Sequence, residues 1–216
     1  MKPGLSKQAI VEAALGVLDD LGIEGLTVRA VAARLNVQAP ALYWHVRDKQ
    51  ELRDEMATEM WRRIGAELDA LPLELTWQQK MVEFAVITRR TLLAIRDGAK
   101  VFTGTYLTDP GVLKSQESNL ALMLDEGFTL VQVYDAFSLV YGFTVGFCVE
   151  EQAVAQSLDR GENRYSLETR RERVDDGEHP LVTEGGPLLF GEQTERFLRL
   201  VGVLVEAADR MRGETP

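Results

Sequence analysis

The amino-acid sequence predicts an all-α protein, and three observations carry that expectation. Apolar residues recur at helical spacing along most of the chain, short capping signatures open one segment after another, and no stretch alternates apolar and polar residues like a half-buried strand. The signatures are Asp48 with Glu51, Thr76 with Gln79 and Thr129 with Gln132, each a capping residue followed three places later by Glu or Gln. A chain of 216 residues is long enough for a sizeable core.

The first helix is expected to begin at Ser6. Ile10, Ala13, Ala14, Val17, Leu18 and Leu21 form its apolar face and Gly22 stops it, while Met1 to Leu5 look frayed, with Lys2 available as a short basic arm. Thr27 can cap a second, very short helix in which Val28, Val31, Ala32 and Leu35 share a face. Asn36 accepts a left-handed backbone cheaply and can turn the chain, and Pro40 suits the first turn of a third helix over residues 39 to 45. Two short helices joined by such a turn are the anatomy of a helix-turn-helix, whose second helix enters the major groove of DNA. An ordinary helical hairpin inside a bundle is the alternative. Against it, the alanines allow close backbone approach, and Tyr43, Trp44, His45 and Lys49 crowd polar tips onto a segment too short to be core.

Asp48 then opens a long helix carrying Leu52, Met56, Met60 and Ile64 on one face to about Leu71, before Pro72. Thr76 opens a helix to about Ile95, a short helical piece follows near residues 97 to 103, and Asp109-Pro110 opens another that ends at Gly127. Residues 130 to 156 are apolar on nearly every side, so that helix requires burial all round. It is too long for a small core to cover alone. With a helix over 187 to 212 it is expected to form a four-helix interface in a homodimer. The densely charged residues 159 to 180 read as a solvated loop or exposed helix, or as a lid.

Net charge is −10, but residues 1 to 53 hold seven Lys and Arg against six Asp and Glu, so the acidity belongs to the rest of the chain. No run of 18 apolar residues and no basic-then-apolar leader is present, so the expected location is cytoplasmic, with no membrane partner. Cys148 is the only cysteine, which excludes an internal disulfide and a cysteine-rich zinc site. His45 and His179 lie far from the apolar helices, so no catalytic constellation is indicated and the chain is not expected to be an enzyme. A helical carrier or sequestering protein remains as a rival function.

The run from Gly25 to Arg29, followed by Leu35-Asn-Val-Gln-Ala-Pro-Ala-Leu-Tyr-Trp-His-Val-Arg-Asp-Lys-Gln-Glu-Leu52, resembles the DNA-binding domain of the TetR family of transcriptional regulators. Arg96-Asp-Gly-Ala-Lys-Val101, Asp125-Glu-Gly-Phe128 and Phe143-Thr-Val-Gly146 with Glu150 are similar to the body of the tetracycline-repressor branch. The resemblance implies a helix-turn-helix DNA-binding domain over 1–48 and a ligand-binding and dimerisation domain over 49–216, acting as a repressor, or as an activator of the same fold. It implies double-stranded operator DNA as partner, read by Arg29 and Gln38 with Ala39 and Ala41 facing bases. Thr27, Tyr43, Trp44, His45 and Lys49 would hold the backbone.

In the tetracycline repressors a His after the Lys-Val of the first body motif holds the drug's magnesium ion; here Phe102 stands there. Phe84 replaces a drug-gripping Asn, Gly65 a drug-binding His, and Tyr106-Leu107 an Arg-Pro pair. The resemblance therefore implies an effector site without metal or cofactor, made from Phe84, Thr88, Phe102, Thr105, Tyr106, Asn119, Tyr141, Thr144, Phe147 and Glu150. Its polar members would need partners in a dry core, which favours a chamber for an apolar or aromatic small molecule over solid packing.

Overall fold

Ser6 accepts the amide of Ala9, and helix α1 (Lys7–Gly25) runs from there with Ile10, Ala14 and Leu18 fully buried. Gly22 interrupts it at φ 69°, a left-handed backbone that glycine adopts without steric cost, so the regular helix stops where the sequence places its end. The computed structural model describes residues 5–159, 161 and 166–212. Lys2 and its expected arm lie outside the described residues.

Thr27 caps α2 (Val28–Arg34) through Ala30, and Asn36 at φ 55° turns the chain into α3 (Ala39–Leu42). The expected helix over 39 to 45 is regular for only its first four residues. Tyr43 to His45 continue as turns, held by the amides of His45 and Val46 on the Leu42 carbonyl. Asp48 caps α4 (Lys49–Asp69) through Glu51, whose carboxylate reaches one residue further back than a capping box requires, to the amide of Arg47. Thr76 and Gln79 complete a reciprocal box at the start of α5 (Trp77–Leu93).

A short α6 (Gly98–Phe102) precedes a 3-10 turn over Pro110–Leu113, α7 (Lys114–Asp125) and the long α8 (Leu130–Asp159). The single helix expected from Asp109 to Gly127 is thus a 3-10 turn running into a shorter α-helix. Within 159 to 180, residues Leu167–Arg171 form α9, so this segment is not loop throughout. The helix expected over 187 to 212 is two helices, α10 (Pro180–Phe190) and α11 (Gln193–Met211). They break at Gly191, where a Cβ would come within 2.5 Å of the Pro187 carbonyl oxygen, and Glu192 caps the new helix through Thr194.

All described elements are helical. α1 to α3 build the head on Leu26, Val31 and Leu42; α4 runs from there beside α5, and α8 packs between α5 and α11. By length and composition Leu130–Ser157 could cross a bilayer, with a hydropathy of 1.3, but one side of it packs here on α5 and α11.

Candidate DNA-reading and effector sites

Most cations of the head are already paired. Lys7 bonds Glu55 at 2.7 Å, Arg34 pairs with Asp20, and Arg47 bonds Glu51 at 3.0 Å. Among the described residues of the head, Arg29 on α2 and Lys49 at the start of α4 are exposed cations with no ion pair. Tyr43 and Trp44 extend from the end of α3 into solvent, Trp44 at 88 % exposure. Exposed aromatics and unpaired cations on the same head are residue types suited to groove and phosphate contact.

A cavity lies among α4, α5, α7 and α8. Its volume is about 70 Å³, enough for a few waters and small for a drug-sized molecule. Trp61, Ile64, Gly65 and Leu68 form its α4 wall; Trp77, Lys80, Met81 and Phe84 its α5 wall; Gln116, Asn119 and Met123 line it from α7; Val133, Tyr134 and Phe137 from α8. An aromatic stack continues the wall inward, with Trp61 5.0 Å from Phe102 and 5.8 Å from Tyr141, and Phe84 5.2 Å from Phe137. Burial raises the Tyr141 phenol above its usual range, so it stays neutral.

Segment 96–109 joins this stack to the head. Asp97 sits in the left-handed region at φ 56°, nearly buried, and its carboxylate accepts the amide of Ile23 at 2.9 Å, Lys100 Nζ at 2.7 Å and Gln156 Nε2 at 3.1 Å. Burial pushes its pKa up, but Lys100, the Ile23 amide and Gln156 outweigh that and leave it below the usual carboxylate value. The Arg96 amide donates to Asp19 at 3.0 Å, so α1 is bonded twice to the segment that opens α6. Along α4, residues at four-residue spacing hold the chain after α6. Asp54 accepts the Tyr106 amide at 3.1 Å, Thr58 the Thr108 amide at 3.0 Å, and Arg62 bonds Asp109 at 3.0 Å. Phe102, at the end of α6, is therefore in contact with the cavity wall while its neighbours are tied to both helices that support the DNA head.

Comparison with known proteins is consistent along the chain. Residues 10–56 match the model described as "Bacterial regulatory proteins, tetR family", and residues 71–204 match "Tetracyclin repressor-like, C-terminal domain". The tetracycline repressor of class C from Escherichia coli is 34% identical over 211 residues, covering 96% of this chain and 92% of that protein. The chain belongs to the tetR family.

It is a ligand-responsive transcriptional repressor of that family, with a helix-turn-helix head and a helical body. A possible TetR family transcriptional regulator from Streptomyces coelicolor A3(2) has the same fold at a TM-score of 0.83 and 31% identity, over 96% of this chain and 100% of that one. A Q116A variant of TetR from Acinetobacter baumannii AYE, in complex with minocycline, aligns at a TM-score of 0.73 and 28% identity, over 97% and 99%. TetR-family proteins are DNA-binding regulators, not enzymes. Burial pushes the Cys148 thiol up to about 12, so it sits in the core as a neutral thiol.

Within this tetR-family body the expected effector residues separate into groups. Phe84 and Asn119 line the cavity, and Phe102 and Tyr141 stand behind Trp61. Thr88 and Thr144 are fully buried with hydroxyls that have no partner, outside the cavity lining. Thr105 bonds the Phe102 carbonyl at 2.8 Å. Tyr106 is 75 % exposed, turned to solvent while its amide serves Asp54. Phe147 packs 5.2 Å from Phe197 on the α11 side, and Glu150 is exposed; neither lines the cavity, because each leaves α8 on a different side.

Trp61, Trp77, Lys80 and Phe137 line the cavity but do not stand out in the sequence. Trp77, Lys80, Met81 and Phe84 follow i, i+3, i+4, i+7, so a lysine inside an apolar stripe was the signal available. Phe102, which stands where the resemblance places the magnesium-holding His of the tetracycline repressors, is packed on Trp61 and has no donor atom to offer a metal.

Proposed function

We propose that this repressor binds a palindromic operator as a cytoplasmic homodimer and is released by a mostly apolar, aromatic effector that enters the cavity between α4, α5, α7 and α8. The observation that carries the reading is Phe102, which touches the cavity's Trp61 while the segment around it is bonded to α1 and α4. The cavity is small for a drug-sized ligand, so binding must displace wall residues, and displacement at the wall reaches the head through that segment. Thr88 and Thr144, with unpartnered hydroxyls, offer polar contacts to a chamber that widens inward.

The division of labour falls at about residue 48, with 1–48 reading DNA and 49–216 binding ligand and dimerising. Dimerisation uses α8 and α11. Val131, Tyr134 and Leu139 on α8 and Leu198 and Val203 on α11 are exposed, and Gly142, Gly146 and Gly202 face open space where a second backbone can approach. Sedimentation equilibrium at micromolar concentration reads this; a monomer at that concentration would remove it.

On DNA, the two α3 helices enter successive major grooves about 34 to 36 Å apart. Arg29 and Gln38 read base edges, Ala39 and Ala41 meet thymine methyl groups, and Thr27, Tyr43, Trp44, His45 and Lys49 hold phosphates. Replacing Arg29 with Ala is expected to weaken operator binding by about 1 to 3 kcal/mol and to relax preference at one base pair in each half-site. Binding to an operator selected from random DNA, compared with a scrambled duplex, is the measurement; an equal loss on both would make Arg29 a phosphate contact.

Because Phe102 offers no donor atom, magnesium should not be needed for effector release, and tetracycline should bind weakly or not at all. Titrating tetracycline against the labelled operator complex, with and without magnesium, checks this. Magnesium-dependent release at micromolar drug would contradict it.

A further inference from the structure

The cavity wall is mostly apolar; Gln116 and Asn119 on α7 and Tyr134 on α8 bring neutral polar groups to it, and its cationic group lies at the start of α5. Among the described residues Lys80 is the only charged side chain that lines it, no carboxylate lines it, and Lys80 forms no ion pair. Trp77, three residues earlier on the same helix face, is 2 % exposed, and its indole N–H has no hydrogen-bond partner. An indole nitrogen can only donate, as can an ammonium group, and a buried donor without a partner costs the protein stability. Both groups stand in the first turns of α5, where the partial positive charge of a helix N-terminus also favours an anion. In a chain of net charge −10, a half-buried cation with no acidic partner, in a mostly apolar pocket whose other polar groups are neutral, favours an anionic acceptor from outside.

We propose that the effector is an aromatic acid: a planar apolar body that lies against Trp61, Phe84 and Phe137, carrying a carboxylate, phenolate or sulfonate group that accepts from Lys80 Nζ and the Trp77 indole. The proposal rests on the reading of this cavity as the effector site and adds the charge and position of the ligand's polar end. A neutral aromatic of the same size fills the apolar wall but leaves both donors unsatisfied, so the acid is preferred by the strength of a charge-assisted hydrogen bond.

Two dyes of nearly the same shape separate these terms: 8-anilinonaphthalene-1-sulfonate is anionic, and N-phenyl-1-naphthylamine lacks the sulfonate. Each is titrated into the full-length protein, following dye emission together with energy transfer from the tryptophans, of which Trp61 and Trp77 line the cavity. Lys80→Gln is expected to weaken the sulfonate about tenfold, which is about 1.4 kcal/mol, and to leave the neutral dye within about twofold. Lys80→Arg should restore most of the sulfonate affinity, and Arg173→Gln, the same charge change on an exposed residue, should not alter it. Thermal melts of the variants keep loss of folding apart from loss of binding. If Lys80→Gln weakens both dyes equally, or neither, the acid proposal is overturned while the effector chamber stands. If neither dye gives energy transfer with the wild-type protein, the chamber itself is in error and the proposal falls with it.

Discussion

Asp97→Ala is expected to lower the stability of the folded protein by about 3 kcal/mol, the low end of the range for removing one partner of a buried ion pair. The low end applies because Lys100 keeps about a third of its side chain in water, while Asp97 is nearly buried. The substitution leaves the Ile23 amide, Lys100 and Gln156 without their shared acceptor and places a Cβ-bearing residue with no local hydrogen bond at φ 56°. Asp97→Asn tolerates that backbone and can still accept from Ile23, so it should cost less. The pH dependence follows from the sign of the shift. The folded pKa is depressed below the ordinary 3.8, so the carboxylate's contribution is complete above that value and is lost as pH falls through 3.8 toward the folded pKa. Urea unfolding should show a constant gap between wild type and Asp97→Asn from about pH 5 to 7 that narrows below about pH 4. A gap that widens on acidification would place the charge effect elsewhere.

Phe102→Ala should have a comparable cost, about 3 to 5 kcal/mol for an aromatic side chain deleted from a core. Its more telling effect is on regulation. Phe102 is 1 % exposed and packs on Trp61, so its removal disconnects the cavity wall from the segment that holds Asp97 on one side and the α4 contacts on the other. Release by effector should then be blunted, with operator affinity in the absence of effector nearly unchanged at a temperature where the variant is folded. Gel shifts with and without effector read both quantities. Tyr106→Ala should do much less, because that side chain is in solvent and only its amide is engaged.

Local chemistry made much of the fold legible. Thr27, Asp48 and Thr76 announce helix starts because a side-chain oxygen three residues before an amide satisfies it whatever else is nearby, and Asn36 announces its turn because few residues accept a left-handed backbone. The break at Gly191 is different. It falls at a glycine whose missing Cβ leaves room for the carbonyl of Pro187 four residues earlier, and a single glycine leaves no periodic trace in the sequence. The same limit divides the effector residues. α8 is apolar on nearly every side, so periodicity could not decide that Phe137 faces the cavity, Phe147 faces Phe197 and Glu150 faces solvent. Trp61 sits one residue off the buried Met60 and Ile64 stripe of α4, and only the packing of α5 and α8 makes it the centre of the aromatic stack.

The coupling of two sites is the centre of the account, and linkage makes it measurable from either end. If effector weakens operator binding, operator must weaken effector binding by the same factor. Moving a population from 1:99 to 99:1 requires about 5.5 kcal/mol of preference for one state. The measurement is the affinity of one effector, found by screening aromatic acids for release of the selected operator, for the free dimer and for the dimer saturated with operator. The expected result is tight binding to the free protein and binding at least about a hundredfold weaker to the complex, about 2.7 kcal/mol of coupling or more. Equal affinities would contradict the account, because the cavity and the DNA head would then be independent.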